Sequence, residues 1–324
     1  INLQDAMEFV GSNDPRTQVK MTNGEALNFF PSRDFFLEVD KQKVLQNGTV
    51  QLEDANLIAD RVEFSIQKRY ISKSEMAVLN IIAANDWERP VYIDHSLLHT
   101  GNIFFTDWLQ FEGLAYRFVP IKSEQKGQAL GHIHPDILYE NVMDKFVWGN
   151  VNDPGIFLDE YNKKEIKIIQ ARQMFARLAE ALVEEGEKKK AEAVIDKMFE
   201  LFPDERIPLS YDSFPAAEQY YRAGAMEKGN EKIRQMADNS FALIDYYLSL
   251  PERFARVVTN NQDREISHLR NLLVIAQKYN QSALHQEIDD RLKELIDRLT
   301  KDNNPGLIDL LCQNIADLYR VRSN

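Results

Sequence analysis

The sequence lacks most of the residue patterns that mark an enzyme. A single cysteine, Cys312, among 324 residues excludes intrachain disulfides and Cys-based zinc sites together, and it leaves the redox compartment open. There is no G-x-S-x-G elbow, glycine-rich phosphate loop or H-E-x-x-H metal motif, and no Ser-His-Asp or Cys-His arrangement can be argued. Basic residues are outnumbered by acidic ones, 39 to 51, and the net charge of −12 repels a phosphate backbone, so nucleic acid is not an expected partner. The best apolar run, Met76 to Ala84, is interrupted by Asn80 and falls short of the ~20 residues that cross a bilayer. The chain opens at Ile1 with neither an initiator methionine nor a signal-type segment, and it reads as a part of something longer.

What is present is enough apolar material, 44% of residues, to bury a core, and a length that suggests two domains. Residues 1–159 read as a small mixed α/β domain. Asn23-Gly24 supplies the positive-φ pair of a tight turn, which predicts a hairpin over Gln18 to Phe30. Val62, Phe64 and Ile66 alternate with polar neighbours as a half-buried strand does. Ser72 and Glu75 have capping-box spacing and open a helix that ends near Asn85. Pro90 to Asp94 reads as a strand, Ile103 to Phe111 as an aromatic-rich helix packed into the core, and Leu114 to Ile121 as another strand. Strands separated by helices predict parallel pairing with right-handed connections.

Residues 160–324 read as an all-α domain, so the fold class is α+β. Ile168, Phe175, Leu178, Ala179 and Leu182 form one stripe and Ala191, Val194, Ile195, Met198 and Phe202 a facing one, with Gly186 between them. Further stripes run through Ile266, Leu269, Leu273 and Ala276, then Leu284, Ile288, Leu292, Leu295 and Leu299, then Leu307 to Leu318 after Asn304-Pro305. Glu184, Glu185 and Glu187 beside Lys188, Lys189 and Lys190 form a solvated tip.

Two resemblances follow from these residues. The Phe175 to Pro203 hairpin resembles a tetratricopeptide unit, and Ser213 to Leu250, followed by Pro251, fits that pattern loosely. Tyr70-Ile71-Ser72-Lys73, Asn85-Asp86-Trp87-Glu88-Arg89-Pro90-Val91-Tyr92, Glu112-Gly113-Leu114-Ala115-Tyr116-Arg117 and Lys145-Phe146-Val147-Trp148-Gly149-Asn150 occur in this order, continued by Asp159-Glu160 and Phe175-Ala176-Arg177-Leu178-Ala179. Together they resemble the soluble C-terminal part of a bacterial family of multi-pass membrane proteins similar to protein O-mannosyltransferases. The resemblance implies a lipid-linked sugar donor and acidic catalytic residues in membrane-portion loops that this sequence does not contain. No catalytic, cofactor or metal residue is carried over. It also implies a place on the periplasmic face of a bacterial inner membrane, with a protein partner or the membrane domain of the parent chain as the thing bound.

Candidate site residues are few. Asp94, His95 and His99 combine an i, i+4 histidine pair with a carboxylate, a start toward zinc, although a surface or capping role is the plainer account. His132 and His134 flank Ile133 in a loop where imidazoles can simply hydrogen-bond the chain. Tyr220, Tyr221, Tyr246 and Tyr247 offer amphipathic contacts to a partner, and each adjacent pair points in directions about 100° apart, so one member of each should be more exposed. The expected function is recognition or organisation by a non-catalytic extramembrane module. Two alternatives stay open: an independent metal-dependent enzyme built on Asp94, His95 and His99, and a free-standing periplasmic helical-repeat adaptor.

Overall fold

The computed structural model describes residues 1–98, 100–123, 130–159 and 167–301. His99, Glu160, Cys312, the helix expected after Pro305 and the side chain of Leu299 therefore lie outside the description. The chain divides into two compact units, Ile1–Asn141 and Val142–Asn324. Among the described residues no helix is long and apolar enough to cross a membrane.

In the first unit, α1 (Leu3–Gly11) starts where the Asn2 side chain accepts from the Gln4 amide, and Leu3, Ala6 and Val10 turn its inner stripe into the core. The hairpin forms as expected: β1 (Gln18–Lys20) and β2 (Ala26–Asn28) are antiparallel around Gly24, whose φ of 89° only glycine adopts at little cost. β3 (Asp34–Glu38) pairs antiparallel with β4 (Arg61–Ser65), Phe35 opposite Phe64 and Leu37 opposite Val62, so the buried residues of both strands share one face. α2 (Lys41–Gln46), capped by Asp40, lies in the connection between them. α3 (Lys73–Asn85) carries the capping box, with Ser72 and Glu75 each accepting from the other's amide. The helix ends on two successive left-handed residues, Asp86 (φ 44°) and Trp87 (φ 59°), an arrangement uncommon outside glycine. This turn swings Trp87 inward, where its indole donates to the Glu38 carbonyl at 2.9 Å and stacks on Phe118 at 5.0 Å.

The remaining sheet corrects two expectations. β5 (Tyr92–Asp94), β6 (Leu109–Phe111) and β7 (Ala115–Phe118) lie in the order β5-β7-β6, and both ladders are antiparallel, not parallel. The stretch expected as a helix over Ile103 to Phe111 is instead a 3-10 turn, Thr106–Trp108, running into β6. Gly113, at φ 107°, closes the tight β6–β7 turn and so sets the antiparallel direction locally. The burial expected of the aromatic run holds, since Phe105, Trp108 and Phe111 are all core residues. α4 (His95–Leu98) and α5 (Pro135–Glu140) complete the unit.

The second unit is helical throughout its described elements: α6 (Lys167–Glu184), α7 (Lys188–Leu201), α8 (Phe214–Ala223), α9 (Met226–Ser249), α10 (Glu252–Lys278) and α11 (Ser282–Lys301). The stripes expected on α6 and α7 are buried, each large apolar side chain contributing about 1.5–3 kcal/mol, and the Glu184–Lys189 tip is exposed. Those of α10 and α11 are buried as far as Leu295.

Arg172 and Asp212 form an ion pair at 2.7 Å, and Arg172 also donates to the Ile207 carbonyl, tying α6 to the loop before α8. On α9, Gly229 leaves room for the Tyr221 ring, to which an added Cβ would approach within 2.8 Å. Gly229→Ala should therefore lower the thermal midpoint despite the ~1 kcal/mol helix-propensity gain of alanine, because overpacking costs about 1–3 kcal/mol. In a Tyr221→Ala background the same change should raise the midpoint; a rise in both backgrounds would refute the packing role.

Candidate binding surface

The tyrosine pairs behave differently from each other. Tyr220 and Tyr221 on α8 are each only 2% exposed, contrary to the expectation that one member of the pair would face outward. Tyr220 stacks on Phe199 and donates to Asp196 at 2.8 Å, while Tyr221 stacks on Tyr279 at 4.8 Å and donates to Asn230. Burial and the Asp196 carboxylate push the Tyr220 hydroxyl pKa far up, and burial, aided by Tyr279 and opposed by Arg234, raises that of Tyr221. Both are core groups because α8 is covered by α6 and α7 on one side and α9 on the other, so its 100° step still ends inside. Tyr246, on α9, is 57% exposed and Tyr247 half-buried, with exposed Leu243 three residues before Tyr246. That end of α9 is the part of the tyrosine set open to a partner.

The histidines lead elsewhere. Asp94 accepts from the amide of Ser96 at 2.9 Å and from its hydroxyl, a local cap at the start of α4, while His95 lies against the Tyr116 ring. His99 lies outside the description. His132 pairs with the edge of β6 through backbone bonds to Leu109 and Phe111, and both His132 and His134 place Nε2 3.8 Å from Asp54 Oδ2. Burial pulls the His132 pKa down against the attraction of Asp54. Among the described residues no group of His, Cys, Asp or Glu is arranged to hold a metal.

A third arrangement, in the core of the second unit, resembles a triad in composition. Ser240 donates to Glu265 at 2.9 Å and shares a 3.0 Å hydrogen bond with Nδ1 of His268. Serine bridges acid and imidazole here, whereas nucleophilic catalysis places the imidazole in the middle and the serine at solvent, so this is a buried polar network.

The first unit holds a groove of about 1070 Å³, at the top of the ~300–1,000 Å³ range of ligand pockets. One face of the β1–β2 hairpin supplies Val19, Met21 and Leu27, the following segment Phe29, and α1 and α3 contribute Met7 and Met76. Val19, Met21, Leu27 and Phe29 keep between 38% and 48% of their surface in solvent. Sequence reading missed this surface, yet it left a signal: apolar residues at positions 19, 21, 27 and 29, alternating on one face of a hairpin too small to cover them. The groove also takes in Arg33, Lys68, Arg69 and Lys73, and no carboxylate. Lys68 is held by Glu75 at 2.5 Å, and that contact with the Ser72 amide pulls the Glu75 pKa down to about 2. Arg33, Arg69 and Lys73 are exposed and make no ion pair among the described residues.

Residues 1–137, nearly the whole first unit, match the family model described as TMEM260-associated domain 2. No curated protein and no solved structure matches the chain.

Proposed function

We propose that this chain is a non-catalytic extramembrane module of a glycosyltransferase-like membrane protein, and that it works by recognition. The observation that carries the reading is the domain match over residues 1–137, whose name associates it with TMEM260, a protein O-mannosyltransferase. It agrees with the separate resemblance of Tyr70–Lys73, Asn85–Tyr92 and Glu112–Arg117 to a family similar to those transferases. In this reading the first unit serves the membrane domain of the parent chain and the helical unit, a degenerate tetratricopeptide-like array, holds a protein partner. A periplasmic location follows from the resemblance.

The partner surface on the helical unit centres on Leu243, Tyr246 and Tyr247, since Tyr220 and Tyr221 are buried. Replacing Tyr246 and Tyr247 by alanine should weaken binding of an envelope protein identified by mass spectrometry roughly tenfold or more, as truncation of interface tyrosines does, with the helical content unchanged. Unchanged affinity would remove this surface from the proposal. Sugar transfer from a lipid-linked donor by the purified chain alone would sink the non-catalytic reading.

A further inference from the structure

We propose that the groove of the first unit is a binding site for an anionic phospholipid, its acyl chain among Val19, Leu27, Phe29 and Met76 and its phosphate against Arg33, Arg69 and Lys73. The inference goes beyond the proposed function and does not need it. Charge complementarity carries the choice of occupant. In a chain of net charge −12, the groove brings together Arg33, Lys68, Arg69 and Lys73 with no carboxylate; Arg69 lies over the Tyr70 ring, and among the described residues Arg33, Arg69 and Lys73 make no ion pair. An apolar surface beside cationic side chains suits a molecule with one apolar end and one anionic end.

Other occupants fit less well. An extended peptide carries as many N–H donors as carbonyl acceptors, whereas the four charged side chains of the groove, guanidinium and ammonium, only donate and are better matched by an anionic group that only accepts. A second copy meeting this one across a two-fold axis would set the three cations against their own counterparts. A free inorganic anion leaves Val19, Met21, Leu27 and Phe29 in water. An acyl chain asks for no hydrogen bond, and methionines such as Met7, Met21 and Met76 adapt to an irregular apolar guest.

The test uses the intact chain. Co-sedimentation with vesicles of equimolar phosphatidylcholine and phosphatidylglycerol should exceed that with phosphatidylcholine alone, and it should fall on the order of a hundredfold in Arg33→Gln/Arg69→Gln/Lys73→Gln, each basic residue being worth about fivefold at an anionic surface. A monomeric short-chain phosphatidylglycerol should bind at one site per chain, and Leu27→Glu, which leaves the three cations in place, should abolish that binding. All four substituted residues are exposed, so the fold is retained. The proposal is overturned by equal partitioning to both vesicle types, by unaltered binding in either variant, by inorganic phosphate displacing the lipid outright, or by an apolar acidic peptide or self-association occupying the site in the lipid's place.

Discussion

Replacing Arg172 by methionine should destabilise the helical unit by about 3–5 kcal/mol, the usual cost of breaking a buried ion pair from one side. The side chains of Arg172 and Asp212 are 2% and 5% exposed, so the substitution strands an uncompensated carboxylate in the interior with the Ser210 hydroxyl as its remaining donor. It also frees the Ile207 carbonyl that Arg172 satisfies. Calorimetry of the intact chain should show a transition lowered by roughly 10 °C, given about 2–4 °C per kcal/mol for a unit of this size. Replacing both partners with apolar residues, Arg172→Met with Asp212→Leu, should recover much of the loss, because desolvation opposes most of what a buried pair gains. A single-variant shift below ~1 kcal/mol would mean that water reaches the pair and that α6 is not pinned there.

Acid should weaken the same unit through His268. Burial pulls its pKa down to about 4, with Asp212 opposing and Arg264 assisting. In the unfolded chain the imidazole titrates near ~6.5. Between those values the unfolded state holds a proton that the folded state refuses, so stability falls as pH drops from about 6.5 and levels off below about 4. The gap corresponds to about 3 kcal/mol at 1.36 kcal/mol per pH unit. Carboxylates titrate in part of this range, so the informative quantity is the difference between the parent chain and His268→Gln, followed as the urea midpoint against pH. The difference should vary across the window and flatten outside it. Parallel curves would show that His268 charges without opening the core. The hydrogen-bond pattern supplies the reason for the resistance: Ser240 gives its proton to Glu265 and receives that of Nδ1, and Nε2 sits buried with no partner for an added proton.

What could be read in advance was what neighbours in sequence decide. Ser72 and Glu75 fix a helix start by reaching across one turn, Asn23-Gly24 fixes a hairpin by its dihedral preference, and the α6 and α7 stripes follow from a period of 3.6. What failed depended on distant partners. The run from Phe104 to Phe111 has the apolar content of a helix and a strand alike, and its pairing with β7 settles the matter. β3 carries no comparable local signal, because its identity comes from β4, across an intervening helix. Tyr220 and Tyr221 had the amphipathic look of a contact surface, and only the elements packed on both sides of α8 make them core. The groove was hidden for a similar reason: Met7, Leu27, Arg69 and Met76 lie on four separate segments, each unexceptional by itself.

The left-handed turn that carries Trp87 inward has a practical corollary. Trp87 and Trp108 sit in the core of the first unit, and Trp148, packed on Phe175 and Phe202, belongs to the second, so the chain's three indoles are divided between its two units. Fluorescence of a Trp148→Phe chain reports loss of the first unit alone, and a chain keeping only Trp148 reports the other, which allows each to be melted separately without cutting the polypeptide.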